Sequence, residues 1–277
     1  MSPQVSNPEK PLVCAVSYLN TSPLVWGLLR TPMGDSVRLE FALPSLCADR
    51  VRDGMADIGI VPVIEMQRQG LDWLPGTGIA CRGAVRSILL VSKVPLDRIQ
   101  SLAGDVGSRT SVMLTRILLA HRYGSTPAIL PMRADLEAML AAADAALIIG
   151  DPALLLDPAA LCARYAVLDL GEEWVRYTGL PMVFAVWAGR TGRLRPGLAE
   201  LFAASCRYGM EHLEEILEAE CPPRRIPIGL GRTYLTQHVA LELNDKDYQG
   251  MQLYLRYARE FDNLKETVPN LIQNVSV

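Results

Sequence analysis

Between residues 12 and 149 the chain passes twice through one succession of elements, and this repeat limits its fold more than any other feature. In the first copy the apolar run Leu12 to Val16 reads as a strand and gives way to the polar stretch Ser17-Tyr18-Leu19-Asn20-Thr21-Ser22-Pro23. A helix-patterned run, Leu24 to Leu29, follows, with Pro23 suited to a first helical turn. Arg38 to Leu43 alternates polar and apolar residues as a half-buried strand does. Ser45 to Arg52 reads as a helix stopped by Gly54, and Asp57 to Val61 closes the unit as a buried strand. In the second copy Ala103-Gly104-Asp105, poor in β-formers, leads to Ser108-Arg109-Thr110-Ser111. A helix over Thr110 to Tyr123, a strand over Ala128 to Met132, a helix over Ala134 to Ala142 and a strand over Asp144 to Ile149 complete it. The pattern predicts an α/β protein of two lobes whose two polar loops face each other. Loops at strand ends of such units are where ligands are held.

Two β-prone runs, Val85 to Ser92 and Met182 to Ala188, carry the chain out of the first copy and back. Two crossings describe a hinge, which places a ligand between the lobes. The expected division is a first lobe made of residues 1–92 and 183–277 and a second lobe of residues 93–182. The length of 277 residues suffices for two modest cores. After Arg195-Pro196 the pattern reads as wholly helical, with amphipathic segments Leu198 to Ala219 and Thr233 to Leu264 expected to pack on the first lobe.

A net charge of -3 without a basic stripe argues against a nucleic-acid partner. No apolar run approaches the roughly 18 residues of a membrane-spanning helix, so no membrane partner is expected. Met1 to Lys10 is polar with two prolines and lacks the apolar core of a secretory signal, which predicts a cytoplasmic protein. Cys14, Cys47, Cys81, Cys162, Cys206 and Cys221 have no paired spacing and read as reduced core residues. No glycine-rich phosphate loop, dinucleotide fingerprint or metal-ligand cluster is visible, so neither cofactor nor metal is expected. The three histidines, His121, His212 and His238, lie in helix-patterned segments, away from the polar loops.

Five short motifs stand in a fixed order: Ser17-Tyr18-Leu19-Asn20-Thr21, Asp57-Ile58-Gly59-Ile60-Val61-Pro62, Ser108-Arg109-Thr110-Ser111, Ile149-Gly150-Asp151, and Trp174-Val175-Arg176-Tyr177-Thr178-Gly179-Leu180-Pro181. Together they resemble the chorismate dehydratases of the futalosine route to menaquinone, over the chain from about Val13 to Trp187. The resemblance implies a type II periplasmic-binding-protein-like fold, with the C-terminal helices on the first lobe, used as a cytoplasmic enzyme. The implied enzyme is a lyase, a hydro-lyase that eliminates water from chorismate to give 3-[(1-carboxyvinyl)oxy]benzoate. A related later enzyme of the same pathway shares the fold and is the alternative reading within the resemblance. A non-catalytic solute-binding protein for a small carboxylate would share the lobes and hinge but would need export, and a ligand-sensing regulator would be expected to carry a helix-turn-helix.

Such a site must hold a dicarboxylate, help a hydroxyl depart and place a base near the proton on the adjacent ring carbon. The start of the helix after Ser108, Arg109, Thr110 and Ser111 offers free backbone N–H groups and hydroxyls for a carboxylate; alternatively Ser108 only caps that helix. The resemblance puts an active-site asparagine at Asn20, whose amide can donate to a departing oxygen, whereas the residue taken alone reads as a turn former. Alternation places one of Ser17 and Tyr18 in the cleft and the other outside. The resemblance also points to Ser87 in the first crossing as an active-site residue, the other reading being a buried hydroxyl bonded to backbone. Asp151 either orients a hydroxyl or caps its turn. Gly179, Leu180 and Pro181 form either a cleft wall or a plain turn. Glu65 and Asp57 are possible bases, the other reading of Asp57 being a structural hydrogen bond at the start of its strand. The preferred base is the substrate's own enolpyruvyl carboxylate, with Asn20 and serine hydroxyls assisting the leaving oxygen.

Overall fold

A computed structural model describes residues 10–266, with side chains through 262; the polar tract before residue 10 lies outside the described residues. The first copy forms β1 (Leu12–Val16), α1 (Ser22–Arg30), β2 (Arg38–Ala42), α2 (Pro44–Arg52), β3 (Ile58–Pro62), α3 (Val63–Gln69) and β4 (Asp72–Cys81). The second forms β5 (Ile88–Ser92), β6 (Ser101–Asp105), α4 (Arg109–Tyr123), β7 (Ala128–Met132), α5 (Leu136–Ala142), β8 (Ala145–Ile149), the short α6 (Gly150–Leu154) and α7 (Pro158–Cys162), β9 (Ala166–Asp169) and α8 (Leu170–Thr178). The chain returns through β10 (Met182–Gly189) and ends in α9 (Leu198–Glu211), α10 (Leu213–Glu220), α11 (Ile228–Thr233), β11 (Ala240–Glu242) and α12 (Asp245–Glu266). No helix among the described residues is long and apolar enough to cross a membrane.

The strands make two sheets, ordered β11-β4-β10-β3-β1-β2 and β7-β6-β8-β5-β9. In each, one strand pairs in parallel with the two that follow it in sequence, β1 with β2 and β3, β6 with β7 and β8. A strand from a crossing then inserts antiparallel: β10 between β3 and β4, β5 between β8 and β9. The duplication is thus complete, each sheet taking its antiparallel strand directly after a crossing. β3, β8, β5 and β10 are buried throughout, which accounts for their unbroken apolar sequences.

Four expectations need correction. Residues 88–92, assigned to the first lobe, are a strand of the second sheet, so the crossing lies between Cys81 and Ile88. The segment 233–264 is not one helix: five residues of π-helix, Tyr234–His238, and the strand β11, paired antiparallel to β4, precede α12. The segment 198–219 breaks at His212, whose backbone departs from helical geometry at φ -109 and ψ 33. The C-terminal helices are also not confined to one lobe. α9 and α10 pack on α1, whereas α12 touches β10 and α3 and reaches α4 of the second lobe. Tyr254 on α12 donates to the carbonyl of Thr110 at 3.0 Å.

α1 and α9 approach through glycines. A Cβ on Gly209 would lie 2.2 Å from the carbonyl oxygen of Pro23, and one on Gly27 2.7 Å from the Cα of Ser205. The obstacles are backbone atoms, which cannot rotate away. Gly209→Ala should therefore separate the helices and lower stability by about 2 kcal/mol, roughly 5 °C in Tm. Thermal unfolding followed by circular dichroism checks this; an unchanged Tm would contradict the packing described.

Candidate active site

Both polar loops line one cavity between the sheets, with about 550 Å³ of space not filled by atoms, its mouth included. That is within the usual range for small-molecule sites. The first loop contributes Tyr18 and Asn20, the second Gly107 to Ser111, and the crossings Val85, Ser87, Ile88, Phe184 and Ala185. Ile149 and Gly150 complete the floor at the end of β8.

The second loop presents an open helix start. The first intrahelical bond of α4 runs from the N–H of Val112 to the carbonyl of Ser108 at 3.1 Å, so the N–H groups of Arg109, Thr110 and Ser111 have no intrahelical acceptor. The Ser108 side chain makes no capping bond, which sets aside the reading of Ser108 as a plain cap. Thr110 spends its hydroxyl on the carbonyl of Phe184 at 3.2 Å, tying α4 to the returning crossing. The positive end of a helix of 15 residues therefore faces the cavity with serines on either side.

Arg109 behaves differently from the expectation of a substrate contact. Its backbone belongs to the helix start, but its guanidinium bonds both carboxylate oxygens of Asp49 at 2.9 Å and Glu65 at 3.0 Å. Asp49 lies on α2 and Glu65 on α3, so the arginine joins the second lobe to the first. Its cationic head is committed to carboxylates, and Glu65, engaged also by Arg68 and Gln69, is correspondingly not a free base. Asp57 is likewise structural, accepting from the N–H of Leu12 at 2.9 Å.

Asn20, 8 % exposed, and Ser87, 2 % exposed, are brought together by a residue the sequence did not single out. The Asn20 amide donates to Tyr234 Oη at 3.0 Å, and Tyr234 Oη donates to Ser87 Oγ at 2.8 Å. Tyr234 comes from the π-helical turn and is buried, and burial raises its pKa well above the ordinary range, opposed by its bonds to Ser87 and Asn20. Ser87 itself is fixed by its backbone. Arg86 adopts a left-handed φ of 64, unusual for a residue with a side chain. Asp169 holds that turn by accepting from the N–H groups of Val85 at 2.9 Å and Arg86 at 2.6 Å, and the Ser87 carbonyl takes the N–H of Gly150 at 2.8 Å. Strain of this kind persists only where neighbours over-determine it.

Of the pair Ser17 and Tyr18, Tyr18 faces the cavity; Ser17 is exposed and sits against Ala42. The Tyr18 phenol is also raised in pKa, chiefly by burial and then by Asp105 and Asp151, so it remains a donor near neutral pH. Asp151 is outside the cavity. It accepts from the N–H of Leu19 at 3.0 Å and pairs with Arg224 at 3.2 Å, which fixes the turn carrying Asn20 from behind. Burial raises its pKa, against the lowering by Leu19 and Arg224. Gly179, Leu180 and Pro181 are also removed from the cavity: Gly179 ends α8 at φ 72, and the Pro181 carbonyl accepts from the indole of Trp174 at 3.0 Å. A cleft wall there is excluded, and the plain turn is what forms. Tyr234 was missed because nothing near it in sequence marks it; a buried tyrosine within a helical pattern reads as core.

The two sheets with a ligand-sized cavity between them are the architecture of two-lobed solute-binding proteins. A protein from Archaeoglobus fulgidus superimposes with a TM-score of 0.68 at 15% identity, covering 95% of this chain and 100% of that one. The periplasmic aliphatic sulphonate binding protein of Escherichia coli gives 0.62 at 15% identity, covering 94% and 89%. A Candida albicans protein with the generic periplasmic binding protein fold gives 0.60 at 13% identity, covering 91% and 90%. These likenesses concern the fold alone. Residues 11–260 match the family described as menaquinone biosynthesis, and the chain belongs to that family. A curated relative, the chorismate dehydratase of Thermus thermophilus, is 35% identical over 167 residues; the match covers 55% of this chain and 61% of the length of that protein.

Proposed function

We propose that this chain is a chorismate dehydratase, a hydro-lyase of the futalosine route to menaquinone, acting in the cytoplasm. The observation that carries the reading is the convergence of Asn20, Ser87 and the open start of α4 on one cavity between the lobes. Membership of the menaquinone biosynthesis family and the likeness to the Thermus enzyme support chorismate as the substrate.

In this reading one substrate carboxylate takes the N–H groups of Arg109, Thr110 and Ser111, with Ser108 and Ser111 as hydroxyl donors. The other lies toward the ring, where it removes the proton from the carbon bearing the ether. The electron pair released forms the new ring double bond as the neighbouring carbon–oxygen bond breaks. The departing hydroxyl accepts hydrogen bonds from Asn20 and Ser87 and takes up the proton now held by the enolpyruvyl carboxyl, so that water leaves, the carboxylate is restored and the ring becomes aromatic. Donors aimed at charge that grows during the reaction lower the barrier more than they tighten binding.

The test is incubation of the purified protein with chorismate and mass spectrometry of the products. The expected outcome is an aromatic enolpyruvyl ether one water lighter than the substrate. Chorismate bound but recovered intact would replace the enzyme by a binding protein. An analogue lacking the enolpyruvyl carboxylate should bind and not react; full turnover of it would remove the substrate from the role of base.

A further inference from the structure

We infer that Tyr234 is a positioning residue for the elimination, fixing Ser87 as a hydrogen-bond donor to the leaving hydroxyl. This rests on the proposed dehydration of chorismate and goes beyond it by assigning a direction to a proton chain.

The argument is one of counting donors. Tyr234 Oη has one proton and two neighbours, Asn20 Nδ2 at 3.0 Å and Ser87 Oγ at 2.8 Å. The amide nitrogen can only donate, so Tyr234 accepts there and its single proton goes to Ser87. The Thr21 hydroxyl faces the amide oxygen of Asn20 at 3.5 Å, which agrees with this orientation of the amide. Ser87 Oγ, already accepting, keeps its own proton for another acceptor, and no protein acceptor for it exists among the described residues. Ser87 lines the cavity, so that proton is offered to what the cavity holds. Without Tyr234 the serine hydroxyl could rotate and accept from its surroundings, and the leaving oxygen would lose a donor. Each bond in such a chain polarises the next. Burial keeps the phenol protonated through neutral pH, so the chain does not reverse there.

Tyr234→Phe should lower kcat about tenfold or more while KM stays within roughly threefold, the mark of an interaction made mainly in the transition state. In a Ser87→Ala background the same substitution should change kcat by less than about twofold, because Tyr234 acts through Ser87. An active wild type with Tyr234→Phe at full kcat overturns the inference, and so does an equal fall in both backgrounds, which would show a merely structural role. If Tyr234→Phe fails to fold, fluorotyrosine incorporated at 234 keeps the shape and makes a stronger donor; kcat should then rise with KM unchanged, and an unaltered kcat overturns the inference. A wild type that leaves chorismate intact removes the functional reading itself, and the inference with it.

Discussion

Asn20→Ala is expected to lower turnover in the proposed dehydration of chorismate by about 100- to 1,000-fold, the loss seen when a donor aimed at developing negative charge is removed. Asn20 is well placed for so large an effect. The turn before α1 that carries it is held from three sides: the N–H of Thr21 bonds the carbonyl of Tyr18 at 3.0 Å, the N–H of Leu19 bonds Asp151, and Arg224 bonds the carbonyl of Ser17 at 3.2 Å. One amide proton is given to Tyr234, leaving the other for the cavity. The fold should lose much less than catalysis does. The alanine leaves Tyr234 Oη without its donor, a cost of about 1 kcal/mol, small beside the effect on the barrier. Initial rates of product formation and Tm, measured on the same preparation, separate the two. Turnover within threefold of the wild type would take Asn20 out of the mechanism.

The lobes and their loops were legible because their signals are local. Leu12–Val16 and Ala128–Met132 form strands with the bounds their apolar patterning suggests, and α2, α4 and β8 lie within one residue of expectation. Even β6, where Ala103 and Gly104 argue weakly for a strand, forms because β7 and β8 flank it. What was not legible depends on partners distant in sequence. β11 is three residues long and exists by pairing with β4, so the helical period on either side concealed it. Tyr234 meets Ser87 and Asn20 across 147 and 214 residues. Arg109 looked like an anion binder because it stands at a helix start that opens on the cavity, yet Asp49 and Glu65 neutralise its head from helices of the other lobe. The motif around Gly179 misled in the same sense. Its glycine is required by the left-handed end of α8 rather than by a ligand.

Gly150→Ala should damage the site as severely as any single methyl group can. Gly150 has a φ of 67 and passes beneath the Tyr18 ring, where a Cβ would lie 2.6 Å from two ring carbons. Two costs follow, and they can be measured apart. The left-handed backbone costs an alanine about 1–2 kcal/mol. The clash forces one of two movements: the ring turns into the cavity and occupies substrate space, or Gly150 shifts and breaks its N–H bond to the Ser87 carbonyl, 2.8 Å long. Either one disturbs the donors around the leaving oxygen, so turnover should fall at least about tenfold with a stability loss of about 2 kcal/mol. Tyr18→Ala removes the obstacle but not the backbone cost, so Gly150→Ala should cost less stability in a Tyr18→Ala background than in the wild type. Gly150→Asn tests the other half. Asparagine tolerates left-handed backbone better than alanine does but carries the same Cβ, so it should recover little activity. An equal cost of Gly150→Ala in both backgrounds would show that the Tyr18 ring is free to move, and that contact with Gly150 does not hold it in the cavity wall.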